Sequence, residues 1–145
     1  LVCGHSMGGM VALTLAAQGL INARIILIES FLTPPGPFFR NLLMPDCEPA
    51  LKTRVTAMLE AEAKFHNPSL RAVLRGSDLT PLLERITVPV AALYGARGAS
   101  LAAVAENLAW PDAVTPRVPV TVIPNSCHFP MLENPTDTAK AILSA

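Results

Sequence analysis

The chain has 145 residues, 51% of them apolar and 15% charged, and its mean hydropathy is positive; that suits one domain with a buried core and excludes a disordered chain. Eleven Lys and Arg balance eleven Asp and Glu, and the basic residues are scattered singly, so neither a nucleic-acid partner nor an anionic membrane surface is expected. No segment approaches the roughly 18 apolar residues of a membrane span, because Ile25-Ile26-Leu27-Ile28 is broken at once by Glu29 and Ser30.

The elements follow in chain order. Leu1-Val2-Cys3 reads as the last part of a buried strand, and a strand that begins at its own end is expected to belong to a longer domain, truncated on its amino-terminal side. A turn with glycines close to a serine comes next, then a helix over Met10–Ala17 with Gly19 as its stop. Arg24–Ile28 is a short β-branched run of the kind found in buried parallel strands. Thr33-Pro34-Pro35-Gly36-Pro37 can continue neither strand nor helix. From Phe38 to about Leu83 the pattern is helical, best over Leu51–Phe65, and Asn67-Pro68 ends that helix. Pro89–Tyr94 is a second buried strand closed by Gly95, Leu101–Trp110 a helix, and Val118–Ile123 a third strand closed by Pro124-Asn125. Pro135–Leu143 is a terminal helix with Pro135 in its first turn. This alternation predicts an α/β fold, a mostly parallel sheet flanked by helices on both faces. One crossover needs far fewer residues than the insertion at approximately 33–83, which therefore reads as a helical lid.

Gly4-His5-Ser6-Met7-Gly8-Gly9 carries the chemistry. A serine hydroxyl is a poor nucleophile until it is aimed and given a base. A tight strand-to-helix turn aims it above the sheet; Gly4 and Gly8 are expected to remove the Cβ atoms that would crowd that turn. The same turn leaves the Met7 amide at a helix N-terminus, able to donate to a developing oxyanion. The plainer alternative is a glycine-rich turn with a bystander serine; the buried strand before it and the apolar helix after it argue for the nucleophile.

His128 follows the third strand, in Ser126-Cys127-His128-Phe129-Pro130. Ligand chemistry collects at the carboxyl ends of strands in open α/β sheets, which suits a general base there. Of the other histidines, His5 is expected to pack against the turn and His66 to lie solvated at the end of a lid helix. Cys3, Cys47 and Cys127 are odd in number and widely spaced, without metal-ligand spacing. They point to a reduced, cytoplasmic setting, and no metal or cofactor is called for.

Together these residues resemble the α/β-hydrolase superfamily. Val2-Cys3-Gly4-His5-Ser6-Met7-Gly8-Gly9-Met10 looks like its nucleophile elbow, and Ile86–Gly95 resembles its strand leading to the acid turn. Cys127-His128-Phe129-Pro130 with Glu133 and Pro135 is similar to its histidine loop. The resemblance implies a serine hydrolase, esterase-like, with Ser6 as nucleophile and His128 as base, and with a second oxyanion amide supplied upstream.

The acid departs from that pattern. Family members carry aspartate three residues after the glycine that ends the second strand, and here that position is Gly98, with no carboxylate between Glu84 and Glu106. Glu29 is the substitute, because its strand would neighbour Pro89–Tyr94, and some serine hydrolases and haloalkane dehalogenases of this fold place their acid there. The competing expectation is that Glu29 merely bonds to backbone. Asp112 and Asp137 read as surface or helix-start residues, and Asp78 as a cap before Leu79-Thr80-Pro81.

Phe31, Leu32, Phe38, Phe39, Leu42, Leu43 and Met44 read as lid core more than as pocket; any that line the site would favour a small-molecule substrate with an apolar part. A serine in place of an aspartate argues against dehalogenation. Carboxylic ester, thioester and activated carbon–carbon bonds stay open, as does perhydrolysis. The rival reading is a catalytically degenerate or fragmentary member of the fold that binds a ligand, and a homodimer would hide the edge left by Leu1-Val2-Cys3.

Overall fold

The computed structural model describes residues 1–145, the Arg75 side chain excepted. Four strands, β1 (Val2–His5), β2 (Ile25–Ile28), β3 (Val90–Gly95) and β4 (Val120–Ile123), form one parallel sheet in the order β1-β2-β3-β4. The central β2 is buried along its whole length. Continuous apolar residues such as Ile25-Ile26-Leu27-Ile28 are what a strand covered on both faces requires, since successive side chains point to opposite sides.

The two faces are covered by different helices. Helix α1 (Met7–Ala17) and α4 (Leu101–Leu108) pack on one, where Leu13, Ala16, Val104 and Leu108 meet Ile25, Leu27, Ala92 and Tyr94. Helix α6 (Pro135–Ser144) covers the other, with Ala141 against Ile26, Ile28, Leu93 and Ile123. Asn134 starts α6 by accepting the Asp137 amide at 3.2 Å, which satisfies one of the free amides of the first turn. The expected order of strands and helices is therefore the order found.

Some boundaries moved, and short elements went unread. The helix expected over Met10–Ala17 begins three residues earlier, directly at Met7. The segment between β2 and β3 contains α2 (Pro49–Ala63) and α3 (Pro68–Gly76), flanked by 3₁₀ turns at Pro37–Arg40 and Thr80–Arg85. Asp78 accepts the Thr80 amide and hydroxyl at 2.9 and 2.7 Å, one residue ahead of the N-cap position, which Leu79 occupies. A one-turn helix, α5 (Pro130–Glu133), follows the histidine loop; four residues are too few to show helical periodicity. Among the described residues no helix is long and apolar enough to cross a membrane.

The segment between β2 and β3 is tied to the domain where it leaves β2. Leu32 and Phe39 are buried in the main core, with Phe31 and Phe38 packed against it. The aromatic rings of Phe31, Phe39 and Tyr94 lie within 4.8–5.9 Å of one another. Farther along, the Leu42 carbonyl accepts the His128 amide at 3.0 Å. Glu133 grips both sides, its Oε1 accepting the Met44 amide at 2.6 Å and its Oε2 the Cys127 amide at 2.7 Å.

Candidate active site

All four strands run the same way, so their carboxyl ends open onto one edge of the sheet, and each end presents a residue with chemistry. Ser6 follows β1, Glu29 follows β2, Arg97 lies just past β3, and His128 lies on the loop after β4. The register sets His5 beside Ile28 and Ile28 beside Leu93, so the first two exits are level. Ser6, Glu29, Arg97 and Asn125 have φ of 51°, 47°, 53° and 50°. Left-handed backbone at a non-glycine residue costs on the order of 1–3 kcal/mol and persists where the surroundings over-determine it. Here each strand exit turns sharply.

The Ser6 elbow is tight because strand and helix nearly touch. A Cβ on Gly4 would fall well inside contact with the backbone of Gly8 and Gly9, and one on Gly9 would strike the Ser30 side chain and the Gly4 carbonyl. Gly8, by contrast, has open space around it, so the crowding expected at Gly8 is carried by Gly9 instead. The reason is helical geometry: Gly9 faces β1 and the start of the segment after β2, whereas Gly8 faces the cavity. Ser6 stands at the N-cap of α1 yet makes no side-chain cap bond. Serine at that position ordinarily accepts an amide of the first turn; here, at φ 51° and ψ −125°, it does not. Met7 is the first residue of α1, so its amide has no partner within the helix.

Glu29 is fully buried, and its carboxylate is saturated with donors. Oε1 accepts the Gly95 amide at 2.7 Å and Arg97 Nη1 at 2.8 Å. Oε2 accepts Arg97 Nη2 at 2.7 Å and faces His128 Nδ1 at 3.3 Å. Burial alone would push the acid upward; the Arg97 hydrogen bonds, the His128 contact, the Arg97 charge and the Gly95 amide outweigh it and hold Glu29 below the usual carboxylate range. Glu29 thus bonds to the Gly95 backbone amide and also lies within reach of the His128 ring. Gly95 makes that possible, because a Cβ there would collide with the Ser126 and Cys127 carbonyls and drive the histidine loop away.

His5 lies between the elbow and the histidine loop, at the cavity wall. Its Nε2–H donates to the His128 carbonyl at 2.8 Å, and its ring packs 4.8 Å from that of His128 and 5.2 Å from Phe129. Burial lowers its affinity for a proton, against the opposing pull of that carbonyl. The expectation is packing against the turn; the contacts found are with the distant histidine loop. His66 differs from expectation: it is half-buried and lines the cavity, because the chain after α2 folds back over the site. Cys127 lies buried behind His128, its thiol pushed up to about 11 chiefly by burial, which makes it inert at neutral pH.

Ser6, Met7, His5, His128 and Phe129 line one cavity of about 590 Å³ with Phe31, Phe39, Leu42, Met58, Leu59 and Leu74 from the segment after β2. The Phe31–Met44 stripe thus divides its work: Leu32 is pure core, Phe39 is both core and wall, and Leu42 faces the cavity. No group of three or more metal-ligating side chains occurs among the described residues.

Sequence reading missed Arg97. Its guanidinium forks onto both Glu29 oxygens with a side chain only 3% exposed, lies 4.9 Å from the Phe39 ring centroid, and reaches the Asn41 carbonyl at 3.5 Å. The available signal was an arginine in the turn where an acid was missing, beside a buried glutamate in need of a counter-charge.

Comparison with known proteins bears on the fold. No curated protein matches the chain. Among solved structures, the esterase RhEst1 from Rhodococcus sp. ECU1013 superposes with a TM-score of 0.66 at 18% identity, over 98% of this chain and 62% of that one. A thermophilic esterase gives 0.67 at 18% identity, over 99% and 64%. A bromoperoxidase from Bacillus anthracis gives 0.68 at 11% identity, over 97% and 64%. At these identities the likeness is one of fold, and the chain spans about 55–65% of the length of such structures. A family model described as "Alpha/beta hydrolase family" matches residues 1–141, and the chain belongs to that family.

Proposed function

We propose that this chain carries the catalytic residues of a serine hydrolase that acts through an acyl-enzyme, with Ser6 as nucleophile, His128 as general base and Glu29 as the acid that orients it. One observation carries the reading: His128 Nδ1 faces a buried Glu29 oxygen at 3.3 Å while His128 and Ser6 line the same cavity. A carboxylate on Nδ1 fixes the tautomer that leaves Nε2 as the proton acceptor.

In the reaction, Ser6 Oγ attacks a carbonyl carbon as His128 takes the hydroxyl proton. The developing oxyanion receives the Met7 amide. His128 then returns the proton to the leaving alcohol, and water repeats the cycle to release the acid. An apolar cavity of about 590 Å³ suits a small ester whose acyl part is hydrocarbon. The helical segment at approximately 33–83 serves as the lid over that part, and the esterases among the similar folds support the same class.

A second reading, a ligand-binding member without turnover, is favoured by the bidentate Arg97–Glu29 pair, which shares the acid's lone pairs with a guanidinium. Hydrolysis of a p-nitrophenyl ester series of increasing acyl length separates the two. The hydrolase reading expects a burst of one p-nitrophenol per chain that Ser6→Ala abolishes. Equal release from the parent and from Ser6→Ala would reject it.

A further inference from the structure

The geometry points to Arg97 as a positioning residue that holds Glu29 ionised and aims its Oε2 at His128, replacing the fixed placement that an aspartate at position 98 would have had. This inference rests on the proposed Ser6 hydrolase and deepens it.

Three observations carry it. A glutamate reaching from β2 has three side-chain torsions to fix, and a longer arm is a looser one. The Arg97 fork removes that looseness, because Nη1 and Nη2 each engage a different oxygen, at 2.8 and 2.7 Å. Two parallel charge-assisted bonds define the carboxylate plane, which a single contact cannot do. Second, the fork is itself immobilised. Arg97 Nη1 donates also to the Gly95 carbonyl at 3.1 Å, its own amide donates to the Ser126 carbonyl at 3.0 Å, and the Phe39 ring lies against the guanidinium. Third, the backbone accepts strain to present it, since Arg97 has φ 53°. A side chain serving only solubility needs none of this.

The pair also sets the charge that His128 meets. Around Glu29 the titratable groups are Arg97 and His128 in direct contact, Tyr94 on β3, and His5 beside the His128 ring. Glu133 and Cys127 lie behind the histidine loop, and Glu62 and His66 lie across the cavity. Arg40 also lines the cavity, but Arg97 is the permanent cation in contact with Glu29, so the ionised state of this fully buried carboxylate depends on Arg97. The opposing effect is real: the same cation weakens the field that Glu29 exerts on His128. Arg97 nonetheless keeps the carboxylate charged and still.

The test is the pH dependence of fluorophosphonate labelling in the full chain and in Arg97→Gln and Arg97→Lys, with ¹³C titration of the Glu29 side-chain carboxyl in each. With the charge removed, the acid limb of labelling and the carboxyl titration both move up by about one pH unit or more. Arg97→Lys, which keeps the charge and loses the fork, leaves the limb in place and slows labelling. An unmoved limb and carboxyl titration in folded Arg97→Gln, or a loss uniform across pH, would overturn the inference. The parent gives a check that needs no variant: its Glu29 carboxyl stays ionised below the ordinary glutamate value, and protonation at or above 4.5 would equally overturn it. If the parent is not labelled, the serine reading fails by itself, and the carboxyl titration still decides the role of Arg97.

Discussion

Replacing Glu29 by glutamine changes almost no volume and removes one charge, so its effect isolates the electrostatics of the site. The carboxylate now faces four donors: the Gly95 amide, two Arg97 nitrogens and His128 Nδ1. An amide offers one oxygen and one NH₂, so whichever way it turns, two of the four donors face another donor. Arg97, with a side chain 3% exposed, is left as a buried cation without its counter-ion. Breaking a buried pair from one side costs about 3–5 kcal/mol, a large share of the roughly 5–15 kcal/mol that holds a domain folded. If the amide turns its NH₂ toward His128, the imidazole must adopt the other tautomer, and in serine proteases that change lowers turnover by roughly 10⁴. At about 1.4 kcal/mol per tenfold, this corresponds to about 5.5 kcal/mol of barrier. Denaturant unfolding of Glu29→Gln should therefore show a loss of 3–5 kcal/mol, and fluorophosphonate labelling of the folded fraction should slow by a factor of roughly 10³–10⁴. Labelling within tenfold of the parent rate, in protein shown to be folded, would refute the assignment of Glu29 as the histidine's acid.

Other expectations follow from the same geometry. Glu29 is held below the ordinary glutamate value of 4.5, so the stability it contributes is present above that pH and is lost as pH falls below it. His5, lowered from 6.5 chiefly by burial, adds an earlier loss as pH drops through 6.5, because the unfolded chain takes up that proton first. Urea midpoints measured from pH 8 to pH 3 should thus fall in two stages; Glu29→Gln should flatten the lower one, and His5→Gln the upper. Gly9→Ala places a methyl group against Ser30 and the Gly4 carbonyl and should destabilise by about 1–3 kcal/mol. Gly8→Ala meets nothing and should be neutral or stabilising by up to about 1 kcal/mol; equal losses in the two would contradict the packing described. With a thiol-reactive disulfide reagent, the exposed Cys3 should react first and the buried Cys127 only on unfolding.

The strands were legible because their burial is written locally: Ile25-Ile26-Leu27-Ile28 can be hidden on two faces in only one kind of sheet. The positions of Ser6 and His128 were legible for the same reason, each sitting in a short segment whose neighbours announce a strand exit. Glu29 needed one further inference, that its strand lies beside β3, and the register bears out that neighbourhood. Arg97 and Gly9 were illegible because their meaning is tertiary. Arg97 meets a partner 68 positions away in sequence, and Gly9 is constrained by Ser30, which belongs to another strand exit. His66 looked like a surface residue because the direction in which a helical insertion folds back is set by packing, not by its own periodicity.

The most direct measurement is mass spectrometry of the purified chain after brief exposure to a fluorophosphonate, with the adduct mapped by peptide sequencing. The account predicts one adduct per chain, on the peptide containing Gly4-His5-Ser6-Met7, absent from Ser6→Ala and strongly reduced in His128→Ala. An unmodified Ser6 in a chain shown to be folded, or an adduct that persists in Ser6→Ala, would contradict it.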